Sequence, residues 1–182
     1  MEKIAVDAMG GDFAPLEIVL GSIQAVREFK IPVVLVGDKE QILTILKNNH
    51  EENNPLIEIH HASEVIEMGE HPGLAYRKKK DASVSVGARL VRAKECGALV
   101  APGSTGAAVT AGLLGIGRIK GIERPAILTP IPNEKGRYTY LIDSGASAQP
   151  KVETYVQNAI LGYIYASKVA GIKNPRIGLL NI

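Results

Sequence analysis

Three times along this chain a short aliphatic, β-branched run ends in a polar turn containing glycine, and a helical period follows. The stretches are "VDAMGGDFAP" (6–15), "APGSTGAA" (101–108) and "IDSGASAQP" (142–150). Strands that alternate with helices fold most readily as a parallel sheet, since parallel neighbours need a crossover and a helix usually supplies it. The rest of the first half keeps the same rhythm. "KIAVD" leads to a helix over 15–29, "VVLVG" to one over 39–48, and "LIEIHH" reads as a third strand. In the first helix Leu16, Val19, Leu20, Ile23 and Val26 make one apolar stripe, with Pro15 suited to the first turn.

The stretch "ASEVIEMGEHPGLAYRKKKD" is a long excursion with one short helix near its end. Asp81 or Ser83 can cap a further helix to about 95, Gly97 ends it, and "ALVA" is a strand. "PAILTPIP" and "RYTYLID" flank the turn "NEKG", which predicts a β-hairpin set into an otherwise mostly parallel, hence mixed, sheet. Val152, Tyr155, Val156, Ala159, Ile160, Tyr163 and Ile164 repeat at helical spacing over 151–169, and "RIGLLNI" reads as a last strand. The sequence shows no repeat and no linker, so the expectation is a single α/β domain over 1–182.

Composition narrows the function. Lys+Arg 21 against Asp+Glu 19 and an aromatic content of 4% argue against a nucleic-acid partner. The single Cys96 excludes an internal disulfide and a cysteine zinc cage, which fits a reducing, cytoplasmic setting. The start "MEKIAVDAMGG" lacks the pattern of a signal peptide, and no apolar run is long enough to span a bilayer. Contact with a membrane surface needs only an amphipathic face and stays open. There is no G-x-x-x-x-G-K-[ST] and no H-E-x-x-H, and His60, His61 and His71 lack zinc-site spacing, so neither a metal nor a cofactor is expected.

In open α/β sheets ligands bind beyond the carboxyl ends of the strands, which is where the three glycine turns stand. In the first, Gly10 and Gly11 let peptide N–H groups approach an anion beside Asp7 and Asp12; the alternative is a tight turn with Asp12 as helix cap. The second suits phosphate better. Gly103 and Gly106 permit close approach at a helix N-terminus, where Ser104 and Thr105 add hydroxyls; the alternative is a simple Ser/Thr cap. In the third, Asp143 closes the strand, Gly145 turns, and Ser144 and Ser147 add hydroxyls. His71 is a candidate acid, base or phosphate donor, with an ordinary loop histidine as the alternative. Arg77, Lys78, Lys79 and Lys80 could grip an acidic partner or form a solvated face. Cys96, at a helix end whose dipole raises a thiol pKa, is expected to pack rather than react.

Taken in order, these stretches, with "SEVIEMGEHP", "RKKKDASVSVG" and "GIKNPRIGLLNI", resemble the phosphate acyltransferase (PlsX) family of bacterial phospholipid synthesis over essentially the whole chain. The resemblance implies transfer of a fatty acyl group from acyl-carrier protein to inorganic phosphate, giving an acyl phosphate for the next, membrane-bound acyltransferase. It implies a three-layer αβα fold similar to isocitrate and isopropylmalate dehydrogenases, in a homodimer loosely associated with the membrane. On it, Gly103, Ser104, Thr105 and Gly106 cradle phosphate, Gly10 and Gly11 shape the opposite wall, and Asp7, Asp12 and Asp143 orient donors. The basic run docks the acidic carrier. The family pattern has asparagine where this chain has Ser104 and Ser147, so a carboxamide is twice replaced by a shorter hydroxyl. Family members also continue well past "GLLNI", which makes this chain read as the N-terminal part. A phosphotransacetylase-like enzyme using acyl-CoA and a non-catalytic phosphate-binding fragment are the competing readings.

Overall fold

The computed structural model describes residues 2–147 and 150–180. They divide into two compact units, Met1–Gly117 and Arg118–Ile182, each taken by itself below.

The first unit is built on four parallel strands in the order β3-β2-β1-β4: β1 (Ile4–Asp7), β2 (Val33–Gly37), β3 (Ile57–His61) and β4 (Ala98–Val100). Side chains alternate across a strand, and here both faces are covered, so up to the closing Asp7 and Gly37 the central strands are apolar at every position rather than at every second one. On one face Val6, Ala8, Val33 and Leu35 meet Val19, Ile23 and Val26 of α1 (Leu16–Phe29) and Ile42 and Leu46 of α2 (Lys39–Asn48). On the other, Ala5, Val34 and Val36 meet Val86 and Leu90, together with Cys96. Those two residues belong to the helix over Ser83–Arg92, so the unit has helix, sheet and helix layers.

The sequence explains the ends of these helices only in part. Asp38 caps α2, its carboxylate accepting from the Gln41 N–H at 2.9 Å. Asp12, expected as a possible cap, does not cap α1, whose N-cap position is Pro15 with no side-chain bond. The excursion after β3 carries α3 (Pro72–Lys78), and α4 is the helix Ser83–Arg92. Neither Asp81 nor Ser83 caps α4, whose N-cap is Ala82; Asp81 instead accepts from the Ser63 N–H and hydroxyl at 2.8 and 2.6 Å. These bonds tie the two ends of the excursion together. Its middle packs as a second core in which Ile66, Ala75 and Tyr76 meet Val84, Ala88, Ala107 and Ala111. The last two lie on α5 (Thr105–Thr110) and on the π-helical turn Ala111–Ile116 that continues it.

The second unit holds the expected hairpin, β5 (Leu128–Pro132) antiparallel to β6 (Tyr138–Ile142), and α6 (Val152–Lys168). Among the described residues the hairpin is a two-stranded sheet of its own. Asn133 fixes its turn by accepting from the Lys135 and Arg137 N–H groups at 3.1 and 3.2 Å. Tyr140 and Tyr165 join hairpin to helix, ring centroids 5.5 Å apart. The expected last strand does not form over 176–180, where Ile177, Leu179 and Leu180 are exposed and no described strand pairs with them; Asn181 and Ile182 lie outside the described residues.

Candidate functional site

Strand order makes the site. From β1 the chain moves outward to β2 and β3, then returns to β4 on the other side of β1. The order therefore reverses between β1 and β4, and it is beyond the carboxyl ends of the strands at such a reversal that open α/β sheets form their binding crevice. Register sets both ends level: Ile4 faces Ala98, Ala5 faces Leu99, and Val6 faces Val100. The first two glycine turns thus leave the sheet side by side.

They touch through backbone. A Cβ on Gly10 would stand 2.9 Å from the Gly103 nitrogen and 3.0 Å from its Cα, and one on Gly103 would stand 3.0 Å from the Gly10 Cα. Only glycine allows this approach at both positions. Gly11 has φ +104, where a side chain is strained, and faces the Pro102 carbonyl. At the start of α5 the Ser104 hydroxyl accepts from the Ala107 N–H at 3.4 Å and its carbonyl from the Ala108 N–H at 2.9 Å. The N–H groups of Thr105 and Gly106 are the orphan donors of that first turn. Thr105 is exposed, while Gly106 is pressed against the Pro72 ring and so sets the start of α3 beside the cradle.

Asp7 sits beneath the first turn and is 4% exposed. Its carboxylate accepts from the Met9 N–H at 3.2 Å and is also bonded by the Gly10 N–H and the buried Ser83 hydroxyl. Burial pushes the Asp7 pKa up, and the bonds from Ser83, Met9 and Gly10 pull against that rise. Asp7 thereby spends its acceptors on the turn that carries Gly10. The sequence offered Ser83 only as a possible helix cap; its place beside Asp7 was not foreseen. Asp12 is exposed at the rim.

The remaining expected residues are placed as follows. His71 caps α3, Nδ1 accepting from the Leu74 N–H at 3.5 Å. Lys79 is tied to the Val65 carbonyl at 2.7 Å and to Glu70 at 2.5 Å, and that pairing holds the Glu70 carboxyl below its ordinary range. Arg77, Lys78 and Lys80 are exposed. Cys96 is buried, and burial pushes its thiol up. The third turn belongs to the second unit. There Asp143 Oδ1 accepts from the Ile127 and Ala146 N–H groups at 2.9 and 3.0 Å, while its buried Oδ2 meets no protein donor among the described residues. Gly145 turns at φ +127, Ser144 and Ser147 flank it, and Ala148 and Gln149 lie outside the described residues. A cleft of ≈ 500 Å³ in that unit, lined by Arg118–Glu123 and Gln157, includes no expected site residue. Among the described residues no group of three or more His, Cys, Asp or Glu could hold a metal ion, and no helix is long and apolar enough to cross a membrane.

Parallel strands, a reversal of strand order and paired glycine turns at that point define an open α/β protein with an anion-suited crevice at its strand ends. The chain belongs to the family described as "Fatty acid synthesis protein", whose pattern matches residues 2–182. It is similar to proteins named phosphate acyltransferase. One from Desulfitobacterium hafniense (strain Y51) is 51% identical over 182 residues, covering 100% of this chain and 53% of that protein. One from Pelotomaculum thermopropionicum is 50% identical over 179 residues (98% and 52%), and one from Aquifex aeolicus (strain VF5) is 48% identical over 182 residues (100% and 53%). The chain spans about half the length of the curated relatives it matches.

Proposed function

We propose that this chain is the phosphate-holding part of an enzyme that transfers a fatty acyl group from acyl-carrier protein to inorganic phosphate. The observation that carries this reading is the junction of Gly10 and Gly103 at the strand-order reversal, where two glycine turns abut with no side chain between them, next to the start of α5. The names of the relatives agree with it.

The chemistry follows from what such a crevice can do. A phosphate oxygen attacks the thioester carbonyl carbon, the C–O bond forms, the C–S bond breaks, and the thiolate leaves to take up a proton. Phosphate is the nucleophile, so no Ser, Cys or His nucleophile is needed. The protein must hold phosphate against the carbonyl and offer donors to the developing oxyanion. The N–H groups of Thr105 and Gly106 and the Thr105 hydroxyl are the donors for phosphate. Gly10 and Gly11 form the facing wall, with Asp7 holding its shape from below. Asp12 and Asp143 are carboxylates, which phosphate avoids, so each orients donors of its own turn, Asp143 within the second unit. Ser104, which caps α5, keeps the orphan donors in place. His71 Nε2 is a weaker candidate donor. Arg77, Lys78 and Lys80 supply the positive face for an acidic carrier; Lys79, already paired, contributes less. Assembly as a homodimer, peripheral membrane contact and delivery to a downstream membrane acyltransferase belong to the same reading.

The test mixes acyl-carrier protein charged with a fatty acid, phosphate and the protein, and traps product with hydroxylamine. It is run on this chain and, beside it, on the full-length Desulfitobacterium relative. Phosphate-dependent acyl hydroxamate from the relative and phosphate binding by this chain are the expected results. Turnover only when acyl-CoA replaces the charged carrier would favour the phosphotransacetylase-like reading. Failure of the folded chain to bind phosphate would remove the role given to the turns.

A further inference from the structure

We propose that the groove between the first turns of α1 and α2 receives the hydrocarbon chain of the acyl substrate. This rests on the acyl-transfer reading and adds the place where the chain lies. The groove is shallow and open to solvent, and is lined by Pro15, Leu16, Glu40, Gln41, Thr44 and Ile45. Its wall is mostly carbon. Leu16 is 49% exposed there, Ile45 packs on the core beneath, and the Thr44 hydroxyl is already bonded to the Glu40 carbonyl at 2.8 Å.

Continuity with the glycine turns selects the occupant. The Ala14 N–H donates to the Gly11 carbonyl at 3.3 Å, so a single tight turn separates the crevice wall from Pro15 and Leu16. On the side of β2, Met9 immediately precedes Gly10 and lays its side chain over Gly37. A Cβ at Gly37 would stand 2.5 Å from Met9 Cγ and 3.3 Å from Ile42 Cδ1. A thioester with its carbonyl at the turns therefore has apolar surface on the way out, through an unbranched thioether that adapts to what lies on it. The one ionisable residue lining the groove is Glu40, and no cationic side chain or aromatic ring lines it. An uncharged, flexible hydrocarbon is what this surface can hold.

The chain has no tryptophan, so Leu16→Trp places a single indole at the groove, and bromine on a hydrocarbon quenches it on contact. This variant is titrated with the methyl ester of dibrominated decanoic acid. Saturable quenching is expected. It should weaken about two- to fourfold for each methylene removed from the probe. A second change, Thr44→Glu, should weaken it at least about tenfold by setting a carboxylate against hydrocarbon. Circular dichroism checks that the fold persists, and Gln41→Glu, which suits the positive end of α2, replaces Thr44→Glu if it does not. Quenching that never saturates, ignores Thr44→Glu or Gln41→Glu, or is matched by Tyr138→Trp in the other unit would overturn the proposal. The readout needs no turnover. A failed hydroxamate assay leaves saturable quenching interpretable, and absent quenching leaves acyl transfer standing without this groove.

Discussion

A methyl group added at position 10 has nowhere to go. It would meet the Gly103 nitrogen, the Gly103 Cα and, at 2.7 Å, Asp7 Oδ2; two of these are backbone and cannot swing aside. Gly10→Ala should therefore cost about 1–3 kcal/mol of stability, the usual range for overpacking, and weaken phosphate binding as well. Urea denaturation and phosphate calorimetry read the two effects, and an unperturbed variant would mean that the turns do not abut. Asp7 gives a second test at this scale. Its folded pKa lies above the ordinary 3.8 because the carboxyl is buried, so ionising it works against the fold. The stability that goes with the protonated carboxyl is fully present below the unfolded pKa and is lost as pH rises through the folded one. The stability of Asp7→Asn relative to the parent should therefore rise as pH climbs above about 4; a relative fall would show that the hydrogen bonds outweigh burial. The glycine pair was legible in the sequence as a turn at a strand end, with Asp7 closing the strand. The place of Ser83 beneath them was not legible, because its neighbour Asp7 lies on a strand far away in the chain.

Among the elements, α1 shows how period and burial separate. Its stripe puts Val19, Ile23 and Val26 in the core as their spacing demands, while Gly21 points to solvent with nothing within 4 Å of a Cβ. Gly21→Ala should stabilise the protein by about 0.5–1 kcal/mol, since only the flexibility of the unfolded chain is lost. Thermal melts check this, and a destabilised variant would contradict the helix assigned there. In α6 the period was equally clear, yet Val152, Val156, Ile160 and Ile164 are 74%, 57%, 50% and 51% exposed. Spacing tells which residues share a face; it carries no information about what covers that face. The caps divide in the same way. Asp38 could be read from its place before α2, whereas Asp81 serves Ser63 because the excursion doubles back, which local sequence does not record.

At the scale of the whole molecule, the alternation of strand and helix was enough to predict a mostly parallel sheet, and the family resemblance supplied helices on both faces. Strand order was beyond it. That the turns after β1 and β4 meet follows from the return of the chain past β1 after β3, and neither glycine turn announces its partner. The third turn resembles the other two in sequence but lies in a separate compact unit with its own hydrogen bonds. The most direct test of the phosphate crevice is a titration of the isotopically labelled chain with inorganic phosphate, followed through backbone amide resonances. Saturable shifts at Gly10, Gly11, Gly103, Ser104, Thr105 and Gly106, with Gly136 in the hairpin turn unmoved, are the predicted result. Shifts confined to Arg77, Lys78 and Lys80, or none at the two glycine turns, would contradict it.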